Sequence, residues 1–174
     1  MVLLILDTTA DRCGVLVRGP DGDVLIDEDL DRGHDARLAG MVAEALSCAD
    51  VRPRHVSRVI VATGPGSFTG VRVGVAFARG LALALKVPAI GVTNLDALAL
   101  TAGRPPLLAV AHDAKRGEVV WRAYRRGVPL TQPACATIED AAAALDRLSV
   151  GEAVTLVGSG ARLLAGEGRC DAGQ

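Results

Sequence analysis

A glycine-rich loop between a predicted strand and a predicted helix constrains the fold of this chain more than any other feature of its sequence. The β-branched run Val59–Thr63 predicts a strand that is buried on both faces. It leads directly into the loop Gly64–Gly70, which reads GPGSFTG, and residues 70–86 predict a helix. A short strand, Ala89–Thr93, and a helical stretch, Leu95–Thr101, follow. This alternation of strands and helices predicts a segment of parallel sheet.

The rest of the chain predicts further elements on both sides of this segment. Before the loop we predict a strand at Val2–Leu6, a hairpin formed by Gly14–Arg18 and Asp23–Asp29, and an amphipathic helix from His34 to Ala49. A second unit starts near Gly103, and its predicted elements are strands at Leu107–Ala111, Glu118–Arg125 and Val154–Val157 and a helix at Ala136–Leu148. Residues beyond Gly166 show no periodicity, and we expect them to be frayed. The predicted domains are an N-terminal lobe, residues 1–102, and an incomplete C-terminal lobe, residues 103–174.

Composition limits the kind of core and the kind of partner. Hydrophobic residues make up 50% of the chain but aromatic residues only 2%, so small and aliphatic side chains must fill the core. Residues 1–50 carry 4 Lys/Arg and 11 Asp/Glu, whereas residues 51–130 carry 12 Lys/Arg and 3 Asp/Glu. Two solvated faces of opposite charge explain this asymmetry, with contact to RNA as the alternative. So few aromatic rings do not make a stacking platform for single-stranded nucleic acid.

The cysteines and the apolar runs bear on metal binding and location. The cysteines lie far apart and form no CxxC pair, so they predict no structural metal site: Cys13, Cys48, Cys135 and Cys170. The N-terminal apolar run ends at Asp7, which is too early for a signal peptide. Arg72, Arg79 and Lys86 interrupt the best candidate for a membrane-spanning segment. We therefore expect a protein of the reducing cytoplasm that does not bind a membrane.

The loop Gly64–Gly70 allows two interpretations. Its backbone N–H groups and the start of the following helix could hold an anion, with Asp7 as a metal or phosphate carboxylate. The glycine spacing is GxGxxxG rather than GxGxxG, however, and no Gly-Lys-Ser/Thr sequence follows as in a Walker A loop. The alternative is a tight turn with a Ser or Thr cap, and with Asp7 as a structural cap. The candidate anion-site residues are Asp7, Gly64, Gly66, Ser67, Thr69 and Gly70.

The helix after the loop is apolar almost all round, and within Val71–Leu85 only Arg72 and Arg79 are charged. It contains a ridge of small residues at spacing i, i+4, which consists of Gly70, Gly74, Ala78 and Ala82. Such a helix must be covered on both sides, either in the core of one domain or by helices of another protein. The helix that starts at His34 is also rich in Ala and Met, so together the two predict a helical interface. The predicted interface residues are His34, Arg37, Leu38, Met41, Val42, Ala45, Arg72, Val73, Val75, Ala76, Arg79, Gly80 and Leu83.

No set of residues predicts catalysis. The three histidines, His34, His55 and His112, share no spacing typical of a metal site or a catalytic triad. Ser67 does not lie in a GxSxG nucleophile elbow. The segment Asp113–Glu118 indicates a salt-bridged hairpin turn rather than an acid–base pair. We therefore predict no catalytic and no metal-binding residue.

Together these motifs resemble those of one family, TsaB, also called YeaZ, the partner subunit in bacterial threonylcarbamoyladenosine (t6A) synthesis on tRNA. The resemblance covers about residues 2–160 and is carried by six segments: Ile5–Thr8, His34–Leu38, Gly64–Gly74, Gly80–Ala82, Pro88–Val92 and Asp113–Val119. It implies an actin/Hsp70-like fold of the ASKHA, ribonuclease H-like class, an α/β fold with two lobes of mixed sheets flanked by helices. Family members are usually longer, so the second lobe is expected to be truncated.

The resemblance also implies a function. The chain would be a non-catalytic scaffold or activating subunit that binds its paralogue TsaD, the catalytic subunit, for modification of the adenosine on the 3′ side of the anticodon in ANN-decoding tRNAs. The ATPase TsaE would join a ternary complex and use the ATP, and this chain alone would form a homodimer. No tightly bound cofactor is implied, a nucleotide at the subunit junction is left open, and tRNA would be reached through the complex. Lys115, Arg116, Arg125 and Arg126 are candidate phosphate contacts to that tRNA.

Two enzyme activities are alternatives to this role. TsaD-like proteins carry two metal-binding histidines in a V-N-H-x-E-G-H segment, and Val92–Leu98 matches it with Asn94 and Leu98 at the ligand positions. Leu binds no metal and Asn binds one weakly at best, so the old metalloprotease label of the superfamily is disfavoured. The second alternative is an independent actin-fold ATPase or kinase that uses Asp7 and the loop Gly64–Gly70.

Overall fold

The computed structural model describes residues 1–30 and 33–166, and the chain divides into two units, Met1–Thr93 and a second that begins at Asn94. The segment beyond Gly166 that we expect to be frayed, and Cys170 within it, lie outside the described residues. The elements of the first unit are β1 (Val2–Asp7), β2 (Arg12–Gly19), β3 (Gly22–Asp29), α1 (His34–Cys48), a 3-10 turn (Pro53–His55), β4 (Val56–Ala62), α2 (Phe68–Leu85) and β5 (Ala89–Val92).

The first unit is built on a five-stranded sheet with the order β3-β2-β1-β4-β5. β2 pairs antiparallel with both β1 and β3, and β2 and β3 form the predicted hairpin. β4 runs parallel to β1, and β5 runs parallel to β4. The predicted parallel segment is therefore confirmed. β4 and β5 are parallel because α2, which connects them, carries the chain back to the end of the sheet at which β4 began.

α1 and α2 pack on one face of this sheet. Alternate strand residues point to that face and are buried against the helices: Leu4, Leu6, Val15, Val17, Val59 and Val61. The residues between them are less covered; Ile60 is half-buried and Thr63 is exposed. The prediction that Val59–Thr63 is buried on both faces is therefore wrong, since α1 and α2 both lie on the same side of the sheet that contains this strand.

The second unit contains a sheet with the order β10-β6-β7-β8, in which β9 also pairs with β7. Its elements are α3 (Asn94–Thr101), β6 (Leu108–Lys115), β7 (Glu118–Arg125), β8 (Val128–Pro129), β9 (Ala134–Thr137), α4 (Ile138–Ser149), β10 (Thr155–Val157) and α5 (Ala161–Ala165). β6 and β7 are antiparallel, and β10 runs parallel to β6. The strands and the helix predicted for this unit are thus present.

Three short elements of the second unit are absent from the prediction: β8, β9 and α5. They contain two, four and five residues, which is too short for a periodic pattern to be recognised. The predicted helix at Ala136–Leu148 begins two residues later than expected, because Ala136 pairs with Val119 in the sheet. Thr137 then starts the helix, with its hydroxyl oxygen accepting from the Asp140 N–H group.

The second sheet carries helices on both faces. α4 and α5 pack on the face formed by Ala109, Ala111, Val119, Trp121 and Ala123. α3 packs on the other face, where Leu95 contacts the cluster that contains Tyr124. Asp96 of α3 accepts hydrogen bonds from Arg122 Nη1 (2.7 Å) and from the Tyr124 hydroxyl (2.8 Å). Burial, together with this hydrogen bond, raises the pKa of Tyr124 well above its ordinary value, so the phenol keeps its proton and holds α3 to the sheet.

Candidate functional site

The glycines of the loop and of α2 pack against the turn that follows β1. A Cβ atom added to Gly70 would lie 1.9 Å from the Thr8 carbonyl oxygen, and one added to Gly74 would lie 2.4 Å from Thr8 Oγ1. A Cβ atom added to Gly66 would lie 2.2 Å from the Thr9 carbonyl oxygen. Real Cβ atoms do not come this close to oxygen, so only glycine fits at these three positions. The spacing of the glycines therefore reflects close packing inside the first unit.

Hydrogen bonds hold the same turn and loop together. Thr8 Oγ1 donates to the Gly70 carbonyl oxygen (2.7 Å), and the Ser67 N–H group donates to the Thr9 carbonyl oxygen (2.6 Å). Ser67 Oγ caps α2 by accepting from the Gly70 N–H group (3.3 Å). Asp7 Oδ1 accepts from the N–H group (2.9 Å) and the hydroxyl group (2.7 Å) of Thr9. The turn and the start of α2 thus form one hydrogen-bonded unit.

These contacts favour the tight-turn interpretation of the loop over an anion cradle. The N–H groups of Ser67 and Gly70 already donate within the protein, and Asp7 caps its own turn. Gly64 is buried with a φ of 86°, a left-handed conformation that other residues rarely adopt, and Thr69 is exposed. The candidate residues of the anion site therefore either pack or form hydrogen bonds around the capped start of α2, or lie exposed at its surface.

α2 has two sides of different character. The inner ridge, which we define as Gly70, Gly74, Ala78 and Ala82, is buried. The outer face, which we define as Phe68, Arg72, Ala76, Arg79, Gly80 and Leu83, is exposed. An α-helix turns by about 100° per residue, so residues two positions away from the ridge point in nearly the opposite direction. The exposed fraction of the residue reaches 69% for Phe68 and 80% for Leu83, which is unusual for large apolar residues.

Of the two ways to cover the small-residue ridge, by the core of one domain or by helices of another protein, the structure contains the first. Ala78 is fully buried in the core of the first unit, and Gly74 lies against Thr8. No partner helix can reach these residues in the folded chain, because the protein's own sheet and turn already cover them. The outer face is the part of α2 that remains for a partner.

The outer face is apolar apart from two arginines. The Arg72 guanidinium carbon lies 3.6 Å from the centroid of the Phe68 ring, so the cation and the aromatic ring are stacked. Val73 and Val75 are half-buried at its margins. By length and composition alone α2 could cross a membrane, but core helices of globular proteins meet the same criterion. Its inner ridge packs in the core of the first unit, so α2 belongs to that core and leaves one side uncovered.

α1 presents a surface different from the predicted one. Four predicted interface residues fill the core of the first unit: Leu38, Met41, Val42 and Ala45. This part of the prediction is corrected, because the periodic apolar positions of an amphipathic helix face its own sheet. Arg37 is half-buried and donates to Glu28 and Glu44, and the side chain of His34 lies outside the described residues. The exposed side of α1 consists mainly of small residues: Ala36, Ala39, Gly40, Ala43 and Ser47.

The structure separates the four candidate phosphate contacts. Lys115 ends β6 and Arg116 lies in the turn before β7, whereas Arg125 ends β7 and Arg126 follows it. An eight-residue strand spans about 25 Å, so the two pairs do not form a single cluster of positive charge. The predicted salt-bridged turn before β7 is confirmed by the ion pair of Lys115 Nζ with Asp113 Oδ2 at 2.8 Å. Its hydrogen bond lowers the pKa of Asp113 below the ordinary value.

Comparison with known proteins shows where this chain belongs. The sequence model of the family described as "TsaD: tRNA N6-adenosine threonylcarbamoyltransferase" matches residues 26–158. Over 130 residues the chain is 37% identical to the tRNA threonylcarbamoyladenosine biosynthesis protein TsaB of Escherichia coli (strain K12), a match that covers 72% of this chain and 56% of that protein. The chain belongs to the TsaB/YeaZ family.

Further TsaB/YeaZ proteins support the assignment. The TsaB protein of Buchnera aphidicola (subsp. Schizaphis graminum) is 32% identical over 128 residues, which cover 72% of this chain and 61% of that protein. The solved structure "YeaZ from Pseudomonas aeruginosa" is 33% identical, has a TM-score of 0.70, and matches over 79% of this chain and 68% of that one. The predicted family and the actin/Hsp70-like fold class are confirmed. The chain spans 61% and 56% of the length of the two curated relatives.

Two features of α2 and its surroundings in this TsaB/YeaZ chain are absent from the prediction. Phe68 was not among the predicted interface residues, although it lies two positions from Gly70 and so on the side opposite the ridge. Thr8 was not singled out either. The signal for it is the spacing of Gly66, Gly70 and Gly74, since three glycines in register require a neighbour that packs against all of them.

Proposed function

We propose that this chain is a non-catalytic subunit in t6A synthesis on tRNA, and that it acts by binding a TsaD-like catalytic subunit through the outer face of α2. The observation that carries the proposal is the contrast between the two sides of this helix. The inner ridge completes the core of the first unit, while the outer face leaves Phe68, Ala76 and Leu83 exposed. Apolar surface of this kind, with arginine and an aromatic ring at one end, is typical of protein interfaces.

The proposal of a non-catalytic role is supported by what the candidate chemical groups do. Asp7 and the N–H groups of Ser67 and Gly70 are engaged in hydrogen bonds within the first unit. We propose that TsaE joins the complex and uses the ATP, that this chain holds no cofactor tightly, and that tRNA is reached through the complex. We further propose a cytoplasmic location. A nucleotide bound at the junction between this chain and the catalytic subunit is compatible with the proposed complex.

In the absence of the catalytic subunit, we propose that a second copy of this chain occupies the same surface. α1 carries the exposed acidic residues Asp35 and Glu44, and α2 carries the exposed Arg72 and Arg79. In a two-fold symmetric pair each α1 can face the α2 of the other copy, which brings unlike charges together. The homodimer and the complex with TsaD would then exclude each other.

The experiment that tests the proposal compares two alanine-to-glutamate variants in complex formation with the TsaD protein of the same organism. Ala76→Glu places a longer charged side chain on the outer face, and we expect it to weaken the complex by about 100-fold or more. Ala143→Glu is the matched control, because Ala143 is exposed on α4 of the second unit. We expect it to bind like the wild type in isothermal titration calorimetry and co-purification.

Reconstitution with TsaD, TsaE, tRNA and the threonylcarbamoyl donor supplies the functional readout. We expect t6A to form with the wild-type chain and with Ala143→Glu, and to be lost with Ala76→Glu or without the chain. Equal affinity of the Ala76→Glu and wild-type proteins for TsaD would overturn the assignment of the outer face. Binding of the wild-type chain to liposomes instead of to TsaD would show that α2 meets lipid.

A further inference from the structure

We infer that Thr8 is a positioning residue for the docking helix: its buried hydroxyl group sets where α2, and with it the outer face, lies on the sheet. The inference rests on the proposed docking function, because it concerns the placement of the same surface. Thr8 does not belong to the outer face itself. It lies in the turn after β1, with no part of its surface exposed.

The contacts of Thr8 join the end of a central strand to the beginning of α2. Its Oγ1 atom donates a 2.7 Å hydrogen bond to the Gly70 carbonyl oxygen, 62 positions away along the chain. The same Oγ1 atom packs against Gly74, since a Cβ atom added to Gly74 would lie 2.4 Å from it. A hydroxyl group therefore touches two successive turns of the helix from the inner side, which determines both the distance and the rotation of α2 relative to β1.

The neighbouring residues make this contact rigid. The Thr9 carbonyl oxygen accepts from the Ser67 N–H group at 2.6 Å, immediately before α2 begins. Asp7 Oδ1 in turn holds both the N–H and the hydroxyl group of Thr9. The turn therefore has no freedom to follow a displaced helix. Buried polar contacts of this kind specify one arrangement, because any other leaves a donor or an acceptor unpaired.

The position of Thr8 matters for docking because of the geometry of the helix. α2 contains 18 residues and is about 27 Å long, and its first turns carry the stacked pair Phe68 and Arg72. A change at the N-terminal end of α2 displaces this pair more than it displaces Leu83 near the other end. Interfaces require side chains to be held to within a fraction of an ångström, so a small shift of α2 costs affinity without unfolding the chain.

The test uses variants that remove or keep the hydroxyl group. Thr8→Val keeps the branched shape and loses the donor, and we expect it to weaken binding to TsaD by about tenfold. Thr8→Ser keeps the donor, and we expect it to bind within about twofold of the wild type. Ser57→Ala is the matched control, because the Ser57 hydroxyl also donates to a backbone carbonyl, that of Val2 (2.6 Å), at the other end of β1. We expect it to lower the thermal midpoint of the isolated chain comparably and to leave the affinity unchanged.

The outcomes distinguish this inference from the proposed function. If the wild-type chain does not bind TsaD, or if Ala76→Glu binds equally well, the docking proposal itself fails. If the wild type binds, Ala76→Glu does not, and Thr8→Val retains wild-type affinity, Thr8 has no positioning role. If Ser57→Ala binds TsaD as weakly as Thr8→Val does, the inference is also overturned. The loss of affinity would then follow from lower stability alone and not from the position of α2. Should Thr8→Val not fold, Thr8→Ala removes the same donor without adding an apolar contact and takes its place, with the same expected loss of affinity.

Discussion

The two units repeat one order of elements, but within residues 1–30 and 33–166 only the first unit has a long helix after its glycine loop. In the first unit a strand (β1), a hairpin (β2 and β3), a helix (α1), a strand (β4) and a helix (α2) follow one another. In the second unit the same order is formed by β6, by β7 with β8 and β9, and by α4, β10 and α5. In the first unit β4, which follows α1, runs parallel to β1, and in the second unit β10, which follows α4, runs parallel to β6. The last helix then differs: α2 has 18 residues and α5 has five.

The loops that precede these two helices are packed in the same way. A Cβ atom on Gly70 would lie 1.9 Å from the Thr8 carbonyl oxygen after β1, and one on Gly158 would lie 2.3 Å from the Ala111 carbonyl oxygen in β6. The hydroxyl groups nearby differ, since Thr8 is buried whereas Ser159 is exposed, with its Oγ atom 3.2 Å from His112 Nδ1. The close approach of a glycine loop to a strand is thus a requirement of the repeated architecture. In the described residues, only the first loop is followed by a helix with a long exposed apolar face, α2.

The largest expected effect concerns these paired glycines. Gly70→Ala and Gly158→Ala should each destabilise their own unit by about 3 kcal/mol, because the added methyl group meets backbone atoms that cannot move aside. Gly158 also has a φ of 99°, which adds strain for any residue with a side chain. Urea unfolding followed by circular dichroism measures both changes, and the fluorescence of Trp121, the single tryptophan, reports on the second unit.

Gly80→Ala provides the control for both glycine variants. A Cβ atom on Gly80 would meet nothing within 4 Å, so this variant should be more stable than the wild type by about 0.5–1 kcal/mol. If Gly70→Ala unfolds at the wild-type urea concentration, the turn after β1 is not closely packed against α2. If Gly158→Ala does so, the two loops are not equivalent.

An intermediate effect is expected from the ion pairs that differ between the units. In the second unit Arg122 has a side chain only 15% exposed and donates to Asp96, so Asp96→Ala should cost about 2 kcal/mol by leaving a poorly solvated cation without its carboxylate. In the first unit Arg18 and Asp23 are both well exposed, and Asp23→Ala should cause no measurable change. Urea midpoints measured by circular dichroism compare the two variants, and equal losses would contradict the role assigned to burial.

The smallest effect is expected in the dependence of stability on pH. Hydrogen bonds from Arg37 hold the pKa of Glu28 below its ordinary value in the folded first unit, and those from Lys115 do the same for Asp113 in the second. The unfolded chain then binds protons more readily than the folded one. The contribution of each pair is complete above the ordinary carboxylate pKa and is lost as the pH falls through the lowered pKa of the folded state.

Glu28→Gln should therefore flatten the acid side of the stability profile of the first unit, and Asp113→Asn that of the second. Unfolding midpoints measured from neutral to acidic pH, by circular dichroism and by Trp121 fluorescence, compare the two. An unchanged acid slope in either variant would show that the corresponding hydrogen bond contributes nothing to stability. Salt should reduce both effects, because the groups are at the surface.

Much of the fold is predictable from local patterns. The apolar run of Val2–Leu6 and the turn at Gly19–Gly22 predict the strands and the hairpin that the structure contains. The regular spacing of Leu38 and Met41 predicts α1 correctly as an element, but the same residues were assigned to the interface and lie in the core. Periodicity shows that a helix has an apolar side, and the default position for that side is its own sheet.

For α2, the sequence by itself determined that the loop Gly64–Gly70 begins a long helix that is apolar almost all round and that must be covered on more than one side. It did not determine which side the protein covers, because the inner ridge and the outer face are both composed largely of small or apolar residues. The tertiary structure decided this. Thr8 and Thr9 come from a turn about sixty residues earlier in the chain. Their carbonyl and hydroxyl oxygens approach the backbone of the loop and of α2 so closely that only the side of α2 without Cβ atoms, at Gly70 and Gly74, can face them.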